Sequence, residues 1–384
     1  MSQSGMARGS VNRMRPGVYR LRVDAGPDPA TGKRRQVSKV VHGSKSEADS
    51  ALTGLLREVE SGFSSNAKTT VAELLSEWLD LKRRSLSPKS IEMYEGRMRN
   101  DIVPVIGKRA VSSLSARDLD SFYTALEKAG RSKYVIRQIH ATVRAALTQA
   151  VKWQIVEKNV AFSASVTQPP KRVMRPISRD ELASILSATN GRYGATLGRF
   201  FLLAALTGAR RGELLGLRRD DLDLAESRLH IVRSVVAAGG ELFVKSTKTG
   251  QVRTIALDNL SVSALLAQYD ALADQAQRAG FDLVENPYLF ASDPTGSKSL
   301  YPDWPTHVFR KVCDSLSLAY HLHELRHFSA TQLIAAGVDV RTVSGRLGHS
   351  DPSITLRVYS HLLKAKDQEA ANILGRIVDL GDGR

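Results

Sequence analysis

The stretch YHLHELRHFSATQLIAAG, residues 320–337, admits two incompatible readings. Residues 323–327, HELRH, match the helical zinc-peptidase pattern H-E-x-x-H, with His323 and His327 on one face as ligands and Glu324 as general base. The extended form of that pattern needs Gly and His at positions 330 and 333, where this chain has Ala330 and Leu333. The same turns carry a second pattern. His323, Arg326 and His327 stand at i, i+3 and i+4, a cationic stripe that suits a phosphate, whereas a guanidinium beside Zn²⁺ repels the ion.

The whole chain bears on the choice. Its 384 residues hold 55 Lys plus Arg against 39 Asp plus Glu, a formal charge of +16, which points to a polyanion as partner. With 42% hydrophobic residues the charge must decorate folded domains, and the length suggests two or three of them. The single cysteine, Cys313, excludes an internal disulfide framework and a cysteine-built zinc finger, and fits a reducing cytosol. The first residues, MSQSGMARGSVNRMRPG, contain no apolar signal segment, and no run of 18 apolar residues occurs, so the expectation is a cytoplasmic protein without a membrane span.

Three domains are expected. VYRLRV, residues 18–23, alternates, placing Arg20 and Arg22 on one side and Tyr19, Leu21 and Val23 on the other. KRRQVSKVV supplies a second basic strand or pair of strands. Ser46 with Asp49 then opens a helix through Leu52, Leu55 and Leu56. Residues 1–45 hold ten Lys or Arg against Asp24 and Asp28, so residues 1–62 read as a small sheet-plus-helix module that contacts DNA through Arg20, Arg22, Lys33, Arg34 and Arg35. After the linker SGFSSNAK, residues 68–165 read as all-helical. Their caps are Thr70 with Glu73, Ser87 before Pro88, and Ser115 with Asp118, and a last helix runs from about Lys133 to Trp153. Between Lys68 and Lys158 there are 17 basic and 10 acidic residues, enough to grip a phosphate backbone. The proline-rich SVTQPPKRVMRP separates this unit from residues 177–384.

In that last domain an apolar helix containing FFLLAAL ends at TGARRGELLGLRRDDLDL. Thr207 and Gly208 form a turn, and Arg210 emerges at a helix N-terminus, a geometry that makes an anion site when a phosphate is present. RLHIV, ELFVKSTKTG and QVRTIAL read as three short strands, with Lys248 just before the turn at Gly250. The cluster Asp220, Asp221 and Asp223 could hold a nuclease metal but has an ordinary explanation as turn and cap residues.

TGAR-x-GEL, TKTG, H-x-x-R-H, LGH and a tyrosine ten residues after that histidine resemble, in order and spacing, the tyrosine recombinases, particularly phage and mobile-element integrases. The resemblance covers nearly the whole chain. It implies an α+β, mainly helical fold: an arm-type DNA-binding domain at 1–62, a helical, SAM-like core-binding domain at 68–165, and a mixed α/β catalytic domain at 177–384. It further implies Arg210, Lys248, His323, Arg326 and His349 as catalytic residues and Tyr359 as nucleophile, with Glu213 and His327 in support. No cofactor or metal is implied. The implied partner is double-stranded DNA, at core and arm attachment sites, bound by a homotetramer that passes through a Holliday junction, with room for a host bending factor or a directionality factor. Integration or excision of a prophage or similar element is the implied task. A resolvase acting on chromosome or plasmid dimers, a DNA-binding regulator and a zinc peptidase are the rivals.

Overall fold

The computed structural model describes residues 9–27, 34–60, 69–170, 175–246, 252–348 and 367–378. The chain divides into two compact units, residues 1–171 and 172–384. Both are built mainly from helices, with small antiparallel sheets, an α+β architecture.

The first unit opens with three antiparallel strands, β1 (Gly9–Arg15), β2 (Val18–Pro27) and β3 (Arg34–His42), in the order β1-β2-β3. Alternation along β2 buries Leu21 and Val23 completely and leaves Arg22 exposed, with Arg20 half-buried. Helix α1 (Lys45–Glu60) covers the apolar face with Ala48 and Leu55, while Leu52 and Leu56 pack at its margin. This helix begins earlier than expected. Its cap is Ser44, whose hydroxyl accepts from the Glu47 N–H while the Glu47 carboxylate accepts from the Ser44 N–H at 2.7 Å, so Ser46 and Asp49 lie inside the helix. KRRQVSKVV contributes one strand, not two. Of its basic residues, Arg34 is held by Asp24 through Nε at 2.8 Å, Lys33 lies outside the described residues, and Arg35 contributes its backbone to β3.

The same unit continues through α2 (Val71–Arg83), α3 (Pro88–Arg97), a π turn at Met98–Ile102, α4 (Val103–Ile106), α5 (Ala116–Lys128) and α6 (Lys133–Lys152). Capping boxes at Thr70–Glu73 and Ser115–Asp118, and side-chain caps from Ser87 and Ser132, set the starts of α2, α5, α3 and α6. One core joins them through Leu74, Leu75, Trp78, Ile102, Leu119, Phe122, Ile136 and Ile139. Helix α3 is its weakest contributor, with no fully buried residue; Tyr94 meets Trp78 edge-on with ring centroids 5.1 Å apart.

The second unit carries α7 (Arg179–Tyr193), α8 (Ala195–Thr207), α9 (Arg211–Leu215), β4 (Leu222–Asp223), β5 (Arg228–Ile231), β6 (Arg233–Ala238), β7 (Glu241–Ser246) and β8 (Arg253–Ala256). Then follow α10 (Asn259–Arg278), α11 (Asp303–Ser315), α12 (Glu324–Ala335), α13 (Val340–Leu347) and α14 (Asp367–Val378). Helix α8 is apolar over most of its surface because most of it is buried, with Leu197, Phe200, Phe201, Leu203 and Ala204 in the core. Phe200 and Phe201 on it meet Phe290 and Phe309 edge-on at 4.9 and 5.1 Å. Burying rings of this kind stabilises a fold by roughly 1.5–3 kcal/mol each.

The strand region differs from the expected three strands. RLHIVRSVVAA breaks at Val232 into β5, which pairs with β4 and β8, and β6, which pairs with β7. The β6–β7 turn is Gly239-Gly240, with φ of 58° and 83°, the two left-handed residues that a tight two-residue hairpin requires. Asp221 and Asp223 serve turns: Asp221 accepts from the Arg218 N–H at 2.8 Å and Asp223 from the Glu226 N–H at 3.0 Å.

Candidate active site

Three residues connect α8 to α9, and their chemistry turns the chain sharply. The Thr207 hydroxyl donates to the Leu203 carbonyl at 2.6 Å and accepts from the Ala209 N–H at 3.2 Å. Gly208 adopts φ 64°, the left-handed conformation that ends α8. Arg210 then caps α9 with extended backbone. Its N–H donates to Glu213 Oε2 and its Nη1 to Glu213 Oε1, both at 2.8 Å, so one carboxylate fixes both ends of the arginine.

Glu213 is 1% exposed and binds a second guanidinium. Arg253, the first residue of β8, reaches it as a fork, Nη1 to Oε1 at 3.0 Å and Nη2 to Oε2 at 2.6 Å. Burial alone would raise the Glu213 pKa. The Arg253 hydrogen bonds and charge, and then those of Arg210, outweigh burial and hold it at about 2.

Helix α12 presents HELRH. The Glu324 carboxylate accepts the His321 N–H and so closes the helix start, and His323 is the capping residue. Glu324 is thus turned to its own helix, and among the described residues no three His, Cys, Asp or Glu side chains cluster in a way that could hold a metal ion. Arg326 is 3% exposed; its Nη1 donates to the Gly208 carbonyl and its Nη2 to the Leu347 carbonyl, both at 2.6 Å. The His323 ring reaches solvent and stands edge-on to half-buried His327, centroids 4.9 Å apart. Protein crowded behind the His323 ring lowers its pKa, and the charges of Arg326 and Arg210 lower it further, which favours the neutral imidazole.

Arg210, Glu213, His323 and Arg326 line one cavity of about 490 Å³, together with Lys245 from β7. Arg211 steadies its rim, donating to Thr306 at 2.6 Å and pairing with Asp303 at 3.3 Å on α11. Lys248, His349 and Tyr359 lie outside the described residues. The Gly348 carbonyl, one residue before His349, accepts from Arg210 Nη2 at 2.9 Å, and Lys245 of the cavity lies three residues before Lys248.

Arg253 was not singled out in the sequence. The signal was present, because strand alternation places it on the face of buried Ile255, and a charge at a core-facing position needs a buried countercharge.

These features define a domain whose cavity gathers fixed cations over an apolar floor, a receptor for an anionic oxygen cluster. The profile of the Phage integrase family matches residues 175–366, and that of the phage integrase N-terminal SAM-like domain matches residues 70–126. A tyrosine recombinase XerC-like protein of Caldanaerobacter subterraneus subsp. tengcongensis is 26% identical over 381 residues, covering 93% of this chain and 95% of the relative. The ICEBs1 integrase of Bacillus subtilis is 24% identical, covering 95% of this chain and 99% of the relative. Among solved structures, the Tn1549 transposon integrase in complex with a circular intermediate DNA superposes with a TM-score of 0.69 at 19% identity, over 81% of this chain and all of that one. A lambda integrase tetramer bound to a Holliday junction gives 0.59 at 17% identity, over 89% of this chain and 96% of that one. The chain belongs to the phage integrase family, the tyrosine recombinases.

Proposed function

We propose that this chain is a site-specific DNA recombinase that integrates and excises a prophage or comparable element. The observation that carries the proposal is the convergence of Arg210, Arg326 and His323 on one cavity, with Glu213 fixing Arg210. In the proposed reaction the Tyr359 hydroxyl attacks a scissile phosphorus, forming a P–O(Tyr) bond while the bond to the 5′-oxygen breaks. Lys248 gives its proton to the departing 5′-oxygen, and the tyrosyl proton passes to a neutral imidazole, for which the lowered pKa suits His323. Arg210 and Arg326 neutralise the charge that builds on the non-bridging oxygens, and His349 donates a hydrogen bond to the same oxygens. The 3′-phosphotyrosine keeps the bond energy, and attack by a 5′-hydroxyl from the partner duplex reverses the step and rejoins the strand.

The substrate assigned here is double-stranded DNA, cut at a core site and bound at separate arm sites by residues 1–62, with Arg20 and Arg22 on the outer face of β2. The module at 68–165 grips the core flanks and the domain at 177–384 cuts them. Four copies assemble on two duplexes and pass through a Holliday junction, with a host bending factor or a directionality factor setting the outcome, on nucleoid DNA in the cytoplasm. Among the described residues no helix is long and apolar enough to cross a membrane. A resolvase of the same chemistry is the second reading, and the exposed basic face of β2 favours the integrase.

The direct test is recovery of DNA left covalently attached to the protein in cells after proteolysis. Sequenced ends should map to one short core at an element–host junction, each 3′ end carrying the peptide. Ends scattered over the genome, or peptide on 5′ ends, would contradict the proposal.

A further inference from the structure

The last turn of α13 offers three successive carbonyls, and each is taken by a different arginine. Arg346 O accepts from Arg253 Nε at 3.0 Å, Leu347 O from Arg326 Nη2 at 2.6 Å, and Gly348 O from Arg210 Nη2 at 2.9 Å. Helix C-termini leave such carbonyls without intrahelical partners, so guanidinium donors from outside the helix fix where the chain leaves it. Arg210 and Arg326 belong to the proposed catalytic set. Arg253 does not, yet its side chain makes two bonds to Glu213 and one to the end of α13, and it is only 10% exposed.

We propose that Arg253 is a positioning residue for strand cleavage, whose guanidinium locks Glu213, and through it Arg210, to the end of α13. The inference rests on the recombinase reading. Arg253 follows the 247–251 segment that contains Lys248, and Arg346 precedes His349 by three residues, so one side chain ties the approaches to both segments to the Glu213 carboxylate that holds Arg210. The planar fork is required. It spans both Glu213 oxygens while Nε points to α13, and an ammonium is a point charge that cannot reproduce that geometry. Without the fork, Arg210 and Glu213 keep their own pair but lose the brace that sets its direction.

The test uses the full chain and a nicked duplex carrying the core sequence recovered from protein-linked DNA. Single-turnover adduct formation, DNA affinity and thermal unfolding are measured for wild type, Arg253→Lys and Arg253→Met. Misplacement of a reacting group by about 1 Å can cost on the order of 100-fold in rate. Arg253→Met should therefore cleave about 100-fold more slowly, with affinity within about threefold of wild type. Arg253→Lys, which keeps the buried charge and guards against a Met variant that fails to fold, should remain folded, bind normally and still cleave at least tenfold more slowly. Wild-type cleavage by Arg253→Lys would overturn the positioning role, as would a loss of rate matched by an equal loss of affinity or folded protein. Absence of an adduct from wild type would overturn the recombinase reading itself.

Discussion

Glu213 is the residue on which the cation cluster depends, because it is a buried carboxylate between two guanidiniums. Its folded pKa of about 2 lies below the ordinary 4.5, so its contribution to stability is present above about pH 4.5 and is lost as pH falls toward 2. The contribution is on the order of 3 kcal/mol. Glu213→Gln should lower stability by about 3 kcal/mol, since removing one partner strands buried charge, and acid unfolding followed by circular dichroism should lose part of its steepness below pH 4.5. His323 gives a second test. In the proposed role of proton acceptor it must be neutral, so the cleavage rate should fall as pH drops through a value below the ordinary imidazole pKa of 6.5. His323→Gln should slow cleavage by about 10²–10⁴-fold and remove that acidic limb from the pH–rate profile; a limb that persists would assign the proton to another group.

At the scale of elements, the α8–α9 turn and the end of α13 meet at Gly208. A Cβ added there would lie 2.4 Å from Leu347 Cδ2, on a residue with φ 64° whose carbonyl already serves Arg326. Gly208→Ala should cost about 1–3 kcal/mol, read by denaturant unfolding, and should slow cleavage through Arg326. Much at this scale is legible in the sequence, because capping boxes and period-3.6 stripes are local: Thr70–Glu73 and Ser115–Asp118 mark their helices directly. Ser44, two residues before the expected cap, competes with Ser46 on equal local terms, and only the reach of Glu47 decides between them. Strand β6 escapes the pattern for a different reason, since RSVVAA runs two polar residues and then four apolar ones, without the alternation that marks a strand. Arg210, Glu213, His323 and Arg326 came from the resemblance to the tyrosine recombinases, but the contact of Arg210 with the Gly348 carbonyl joins positions more than a hundred residues apart, which no local pattern shows. Helix α14 leaves Ile373, Leu374 and Ile377 46%, 62% and 73% exposed, an apolar stripe that a neighbouring protomer of the proposed tetramer would cover. Deleting residues 366–384 should weaken synapsis in native gels while single-site cleavage persists; equal loss of folding would place the helix on its own domain.

At the scale of the molecule, the excess of positive charge is divided among modules with separate tasks in the proposed reaction. Removing residues 1–62 should spare core cleavage and abolish integrative recombination, with footprints lost only over accessory sequences, because tethering by the basic sheet raises the local concentration of the catalytic part. In the proposed reaction Tyr359 is the nucleophile served by the Arg210–Arg326–His323 cavity. Mass spectrometry of the peptide trapped on a nicked core substrate, in wild type and Tyr359→Phe, tests that assignment. Wild type should yield a nucleotide-modified peptide with the phosphate on Tyr359, and the Phe variant no adduct despite near-normal DNA binding. An adduct on any other residue, or one that survives Tyr359→Phe, would contradict it.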